Sequence, residues 1–516
     1  MKIRVPSVAL RFPLGRSGLL ALWVLVVLAM AAAVAHGQAA GTISEERVAE
    51  LVQSLDGVVR QPTVDSAWVG VRVETVDGRV LYDFNGAKLM MPASNMKLIT
   101  AAAGLELLGP DHVWETRVWL DPWESAGGSE HLTGPLPERL EGNIYLQGGG
   151  DPTLLQEDLE RLARLLHARG LRHIAGDVVY DASFFDDQLR GPGWSWDYLD
   201  AYYAAPVSGL ALSPDRDYDA NTVKVSVYPA GALFEPGLVV ISPSLAGIRV
   251  VNETRTAGAA STGSISAYWA DDGSLVVSGS TPLGRGPTTM WIAMQDPAPL
   301  VATVFANALR QAGIEVAGDV VPGRVSRELV HVAGHTSMPL SQLLVPFLKL
   351  SNNGHGEVIL KTLGRKFRSQ GSWAAGRAVI ESFLRDVVRV PGSFNISDGS
   401  GLGRTNLVTP QQLIAVLRYM ADRPNFPYFY HALPVAGASD RMVGGTLRSR
   451  LQGTPAQFNA RAKTGSIGNV STLSGYVDNA TGERLVFSIM FNHALGVPST
   501  TYQDVIVTVL ARWSSE

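Results

Sequence analysis

The chain of 516 residues has no cysteine. That absence excludes disulfides, thiolate metal sites and a cysteine nucleophile, so stability has to come from core packing. An excess of charge of one sign is missing too. Lys and Arg number 43 against 47 Asp and Glu, a formal net charge of −4, and no basic stripe exists for a nucleic-acid partner. With 46% apolar and 17% charged residues the composition is that of a globular protein of more than one domain, not of a disordered one. Lysine is scarce, standing only at positions 2, 88, 97, 224, 349, 361, 366 and 463. Long apolar runs are equally scarce, and a single one occurs, near the N-terminus.

That run, "LLALWVLVVLAMAAAVA", is 17 residues without a charge, preceded by Lys2, Arg4, Arg11 and Arg16 and followed by "HGQAAG". A basic flank, an apolar centre and small residues at the right places make an export signal over residues 1–39. Ala33 and Ala35 allow cleavage before His36, and Gly37 and Ala39 allow it before Ala40. A retained segment would instead tether the chain at the membrane surface. Either outcome puts the bulk of the protein outside the cytoplasm. The oligomeric state stays open.

The pattern then divides the chain. "TISEERVAELVQSLDGVVRQ" carries apolar residues at helical spacing, and "AWVGVRVETVDGRVLYDFNG" alternates around an Asp77-Gly78 turn, a hairpin signal. A helix over "SNMKLITAAAGLELLGP" follows. From about 113 to 330 short strand-like runs dominate, interrupted by the helical patterns "EDLERLARLLHARG" and "LVATVFANALRQAG". After each of these the sequence repeats Ala-Gly-Asp-Val-Val, at 175–179 and 317–321. Beyond 335 helical patterns return, over "SQLLVPFLKLSNNGHGEVILKTLGRKF", "WAAGRAVIESFLRDV" and "TPQQLIAVLRYMADR". Three strands and a closing helix end the chain. The simplest architecture is one unit of helices and strands split in two, over 40–112 and 335–516. A block over 113–205 and 297–334 is inserted in it, and 206–296 is nested inside that block.

Three short motifs carry chemistry. Ser94 and Lys97 form S-x-x-K in "MMPASNMKLIT", and Lys97 is the only lysine with a serine three residues before it. Ser351 and Asn353 form S-x-N in "LSNNGHGE", and Lys463 opens "KTGS". The set, in this order, resembles the active-site signature of penicillin-binding proteins and serine β-lactamases. "GGGDPTL" at 148–154, "APVSGLALSPD" at 205–215, "SNNGHGEVILK" at 351–361, "DGSGLGRTNLVTP" at 398–410, "LPVAG" at 433–437 and "GTLRSRLQGTP" from 445 narrow the likeness. They resemble the class C low-molecular-mass penicillin-binding proteins, D-alanyl-D-alanine carboxypeptidase/endopeptidases with an inserted pair of domains. The likeness runs over nearly the whole chain after the signal. Gly356, Gly403 and Ser466 stand where that family usually has alanine, serine and threonine.

The resemblance implies an α+β fold: a split penicillin-binding/β-lactamase-like domain, an antiparallel sheet flanked by helices, with two nested, largely β inserted domains. It implies peptidoglycan stem peptides as substrate, β-lactam antibiotics as acylating inhibitors and no cofactor. The residues fit that chemistry. A serine hydroxyl needs a base to take its proton, and a lysine can be that base only when burial and a second cation, here Lys463, depress its pKa. Lys97 is then the base for Ser94, and Ser351, between the two lysines, passes a proton to the departing D-alanine. Asn353 holds Lys97 and the substrate backbone. Lys463, Thr464 and Ser466 grip the terminal carboxylate, and Gly465 lets the peptide lie against the strand. The backbone N–H groups of Ser94 and Ser466 form the oxyanion hole. By resemblance alone, Arg404 and Asp181 are candidates for a charged peptide side chain such as that of diaminopimelate, with a turn or cap as the other reading of Asp181.

Other signals fall away. "HVAGH" places His331 and His335 four apart, but it lacks the Glu of H-E-x-x-H and contains Gly334, so no metal is expected. "GSGLG" and "GGG" have the spacing of neither a dinucleotide nor a phosphate loop, and no G-x-S-x-G occurs. His355 is read as a pocket-wall residue. Two alternatives share the motifs: a β-lactamase or esterase of the same superfamily, and a non-catalytic cell-wall-binding scaffold. Rapid penicillin turnover without a lasting adduct would mark the first; loss of D-alanine release on replacing Ser94 by Ala would set an enzyme apart from the second.

Overall fold

A computed structural model describes residues 43–124, 132–244 and 247–516. The expected export signal lies outside the described residues. Among the described residues no helix is long and apolar enough to cross a membrane.

Both ends of the chain build one antiparallel sheet of five strands, in the order Arg461–Ile467, Val470–Asp478, Arg484–Asn492, Trp68–Thr75, Val80–Phe84. The seam between the halves runs from Trp68 opposite Asn492 to Thr75 opposite Leu485. The hairpin turns at Asp77-Gly78, where Gly78 takes a φ of 103°, a conformation glycine adopts without cost. One face of the sheet buries Leu81, Phe487 and Ile489 against the helices Glu45–Val59 and Ser499–Arg512. Ser44 caps the first of these by accepting from the Arg47 N–H.

The other face packs on a helical layer. At its centre is the helix Met96–Leu107, buried all round from Met96 to Leu105. Its run Ala101-Ala102-Ala103-Gly104 lets neighbours approach closely: a Cβ on Gly104 would stand 3.0 Å from Ile359 Cγ2. The stretch 341–367, expected to be helical throughout, is two helices, Leu340–Lys349 and Asn353–Arg368. Ser351 breaks it at a φ of 63°, and Asn352 restarts it by capping the His355 N–H. The break puts Ser351 and Asn353 at a helix N-terminus that faces the Lys97 helix.

The inserted block carries a second five-stranded sheet, ordered Val320–Pro322, Val178–Asp181, Ile144–Gly148, Glu115–Leu120, Val330–Thr336. The helices Gln156–Ala168 and Pro297–Gln311 pack on it around a separate core. The Ala-Gly-Asp repeat is a stack. The Asp319 N–H donates to Asp177, the Asp177 N–H to Asn143 and the Asn143 N–H to Asp121, at 2.9, 2.7 and 2.7 Å. Side chains on Gly176 and Gly318 would overlap the acceptors of the rung below. Gly142-Asn143 is thus a third copy that the sequence hides behind different flanking residues. Two three-stranded sheets within 222–293 complete the nested part. The whole is α+β, as expected. "HVAGH" lies on the strand Val330–Thr336, not on a helix.

Candidate active site

Ser94 lies in a single 3-10 turn, Ala93–Asn95, that leads into the Lys97 helix. Ala93 stands at a φ of 45°, a strained position that costs about 1–3 kcal/mol. The turn packs against Gly401 so closely that a side chain there would overlap the Ala93 carbonyl.

One turn on, Lys97 is completely buried. Its Nζ is 2.8 Å from Ser94 Oγ, 2.6 Å from Asn353 Oδ1 and 2.8 Å from the Ser400 carbonyl. The last two atoms can only accept, so each takes one N–H of the amine. The third position of the nitrogen faces Ser94, the one partner able to donate. When the amine is neutral, its lone pair points at the serine proton.

Burial pushes Lys97 down to about 7, against the opposing pull of the Asp398 and Glu357 carboxylates. These two carboxylates escaped the sequence reading, although both lie inside quoted motifs. Burial pushes Asp398 above its ordinary range, and burial beside Asp398 does the same to Glu357. Both hold the loop 397–406 against the lysine. Glu357 accepts from the N–H groups of Gly399 and Ser400, at 2.9 and 2.8 Å, and Asp398 accepts from those of Gly401 and Gly403, at 2.7 and 2.6 Å. The loop in turn aims the Ser400 carbonyl at Lys97.

The distant motifs converge. Asn353 spans from Lys97 to the Tyr203 carbonyl, to which its Nδ2 donates at 2.6 Å. Lys463 is fully buried, and its Nζ donates to Ser351 Oγ at 2.9 Å and to the Thr464 carbonyl at 2.7 Å. Asn95, beside Ser94, ties the third segment in by donating to the Lys463 carbonyl at 2.8 Å.

Several details differ from the sequence reading. Asn353 accepts from Lys97, and Ser351, read as lying between the two lysines, is hydrogen-bonded to Lys463. Burial is the largest cause that depresses Lys97, and Lys463 is pushed well below the lysine range by burial and then by its repulsion with Lys97, which the two amines share. Two amines in one buried pocket titrate as a pair. Gly465 is required by the protein itself: a Cβ there would overlap Thr472 Oγ1 and stand 3.0 Å from the Ser94 nitrogen. Thr464 donates its hydroxyl proton to Thr446 Oγ1 at 2.7 Å, a partner the sequence did not suggest.

Ser466 lies exposed on the same strand. Arg404 is exposed and reaches across to the Gly468 carbonyl at 3.2 Å, close to the Lys463 strand. Asp181 is not brought to the site. It is 2% exposed in the inserted sheet, where it accepts from Gln147 Nε2 at 3.2 Å and from the backbone N–H groups of Ser183 and Val325 at 2.9 Å each. Its carboxylate is spent on the ends of strands and loops, the turn-and-cap reading. His355 is fully buried with Nε2 on the Tyr218 carbonyl at 2.8 Å. Burial holds its pKa down at about 4, so the ring is neutral.

The profile of the D-Ala-D-Ala carboxypeptidase 3 (S13) family matches residues 51–513. The chain belongs to that family. A D-alanyl-D-alanine carboxypeptidase of Actinomadura sp. (strain R39) is 37% identical over 478 residues, 91% of this chain and 86% of that protein. The D-alanyl-D-alanine carboxypeptidase DacB of Haemophilus influenzae is 28% identical over 80% of this chain and 83% of its own. The crystal structure of penicillin binding protein 4 from H. influenzae covers 90% of this chain and 99% of that one, with 27% identity and a TM-score of 0.71. A structure of the same protein complexed with a β-lactam aligns with 25% identity, over 90% of this chain and 99% of that one, at a TM-score of 0.68. In this S13 member Ser94, Asn353 and the Ser400 carbonyl meet at the Lys97 amine.

Proposed function

We propose that the protein is a serine-type D-alanyl-D-alanine carboxypeptidase, endopeptidase or both, acting on peptidoglycan stem peptides and acylated by penicillin at Ser94. The observation that carries the reading is the buried Lys97 amine, fixed by two obligate acceptors with its remaining position 2.8 Å from Ser94 Oγ. Lys97 takes the Ser94 proton as Oγ attacks the penultimate D-alanine carbonyl. The oxyanion is held by the N–H groups of Ser94 and Ser466. Ser351 gives its proton to the departing nitrogen and is resupplied by Lys463.

The pocket keeps one proton throughout. Lys463 is charged before attack, where it holds the terminal carboxylate together with Thr464 and Ser466. Lys97 is charged afterwards. Returning the proton resets the base for the water that hydrolyses the ester. Arg404 takes a charged group on the peptide side chain.

In the same reading residues 40–112 with 335–516 form the catalytic unit, 113–334 its insertion, and 1–39 the signal that exports the chain to the periplasmic face where its substrate lies. Intact mass after incubation with labelled penicillin tests it. The expected result is one adduct per chain, mapped to the peptide holding Ser94 and absent from Ser94→Ala, with D-alanine release lost in the same variant. An adduct on another residue would overturn the assignment.

A further inference from the structure

The nested block has no reacting group, yet it reaches the site through the loop 215–219. The Asn352 amide donates to Asp219 Oδ1 at 2.7 Å and to the Tyr218 carbonyl at 3.1 Å. The same carbonyl takes the His355 ring. The loop's other contacts spread its hold: Lys224, on the nested strand Thr222–Tyr228, pairs with Asp215 at 3.0 Å, and Arg441 pairs with Asp217. Arg441 opens the short helix Arg441–Gly444, which runs into Thr446, the partner of Thr464.

We propose that this loop is a clasp that sets the geometry of Ser351 and Asn353, with Asp219 as its positioning residue. The proposal rests on the reading of the site given above. The physical argument starts from Ser351. At a φ of 63° it occupies a conformation that a serine leaves unless its neighbours hold it. Asn352 is the next residue, and its side chain is gripped at both ends: its oxygen caps the His355 N–H at 3.1 Å and its nitrogen is held by Asp219 and Tyr218. Asn353 follows, with its amide orientation fixed by a second carbonyl of the inserted block, that of Tyr203. Both asparagines of Ser-Asn-Asn are therefore oriented by acceptors from outside the split catalytic sheet and its helices. A folding unit placed between the two halves supplies the rigidity that the strained turn lacks.

The test uses the full chain and separates the acylation rate constant at saturating penicillin from the number of sites labelled at completion. In Asp219→Ala the rate constant should fall about 100-fold, the loss expected when a reacting group is misplaced by an ångström. Labelling should still reach one per chain. Asp219→Asn should recover most of the rate, because its amide oxygen still accepts from Asn352. Asn352→Ser keeps a good helix cap but cannot reach Asp219, and should be slow in the same way, which covers the case in which Asp219→Ala fails to fold. Wild-type rate constants in Asp219→Ala and Asn352→Ser would overturn the proposal. So would a loss confined to the labelled fraction, or an Asp219→Asn variant as slow as Asp219→Ala. A wild type that takes no label on Ser94 would strike the underlying reading instead, and the proposal with it.

Discussion

Lys97 has to satisfy two demands at once. As a base it must be neutral near neutral pH, and as a folded residue it must leave water. Burial meets both by holding its pKa at about 7. The acylation rate by penicillin should therefore climb about tenfold per pH unit on the acid side, as the neutral fraction grows, and bend near pH 7. The same depression has a sign for stability. Above pH 7 the folded chain lacks a proton that the unfolded chain keeps up to the ordinary lysine value, so this group makes stability rise with pH by about 1.4 kcal/mol per unit. Below pH 7 the penalty is fully present. Lys97→Met removes it, so the variant's gain over wild type should be largest at pH 6–7 and shrink toward pH 10. Urea midpoints at the two ends measure this; an unchanged difference would show that the folded amine is not depressed.

At the scale of elements, what a strand end or a loop does with a carboxylate decides between chemistry and support. Asp181 ends a strand and precedes an aromatic pair, which in sequence is compatible with a ligand. In the fold it closes two backbone N–H groups and one amide of the inserted sheet. Asp181→Ala should lower the unfolding free energy by about 2 kcal/mol, since these donors lose their acceptor, and leave the penicillin acylation rate unchanged. A calorimetric scan beside the acylation assay reads both. The contrast shows what the sequence could disclose. Ser94 and Lys97 were legible because one helical turn guarantees that they meet. Ser351, Asn353 and Lys463 were legible as motifs, and the resemblance implied that Asn353 holds Lys97; that Ser351 pairs with Lys463 was not legible, because it depends on the break at Ser351. Glu357 and Asp398 were invisible as a pair, since their partners are backbone N–H groups of a loop whose path no periodicity encodes.

At the scale of the whole molecule two cores share one seam, and the seam lies behind the site. Phe185 and Val207, from the inserted block, are buried in the helical core of the split unit. Beside them Lys361, on the Asn353–Arg368 helix, donates to Asp186 Oδ1 at 2.7 Å and to the Gln188 carbonyl at 2.8 Å, with Nζ 3.8 Å from the centre of the Trp373 ring. The lysine side chain is fully buried and Asp186 is 39% exposed, so solvent weakens the pair from one side only. Removing the acid leaves a buried cation with a carbonyl and an aromatic face as its remaining partners. Asp186→Ala should cost about 2 kcal/mol, less than for a wholly buried pair because of that exposure. Replacing the lysine as well, in Asp186→Ala with Lys361→Met, removes the stranded charge and should restore part of the loss, since an apolar chain of similar length fills the space against Trp373. Denaturant unfolding of the two variants decides it: a double variant less stable than the single one would mean that the seam is held by the lysine's own contacts and not by the ion pair.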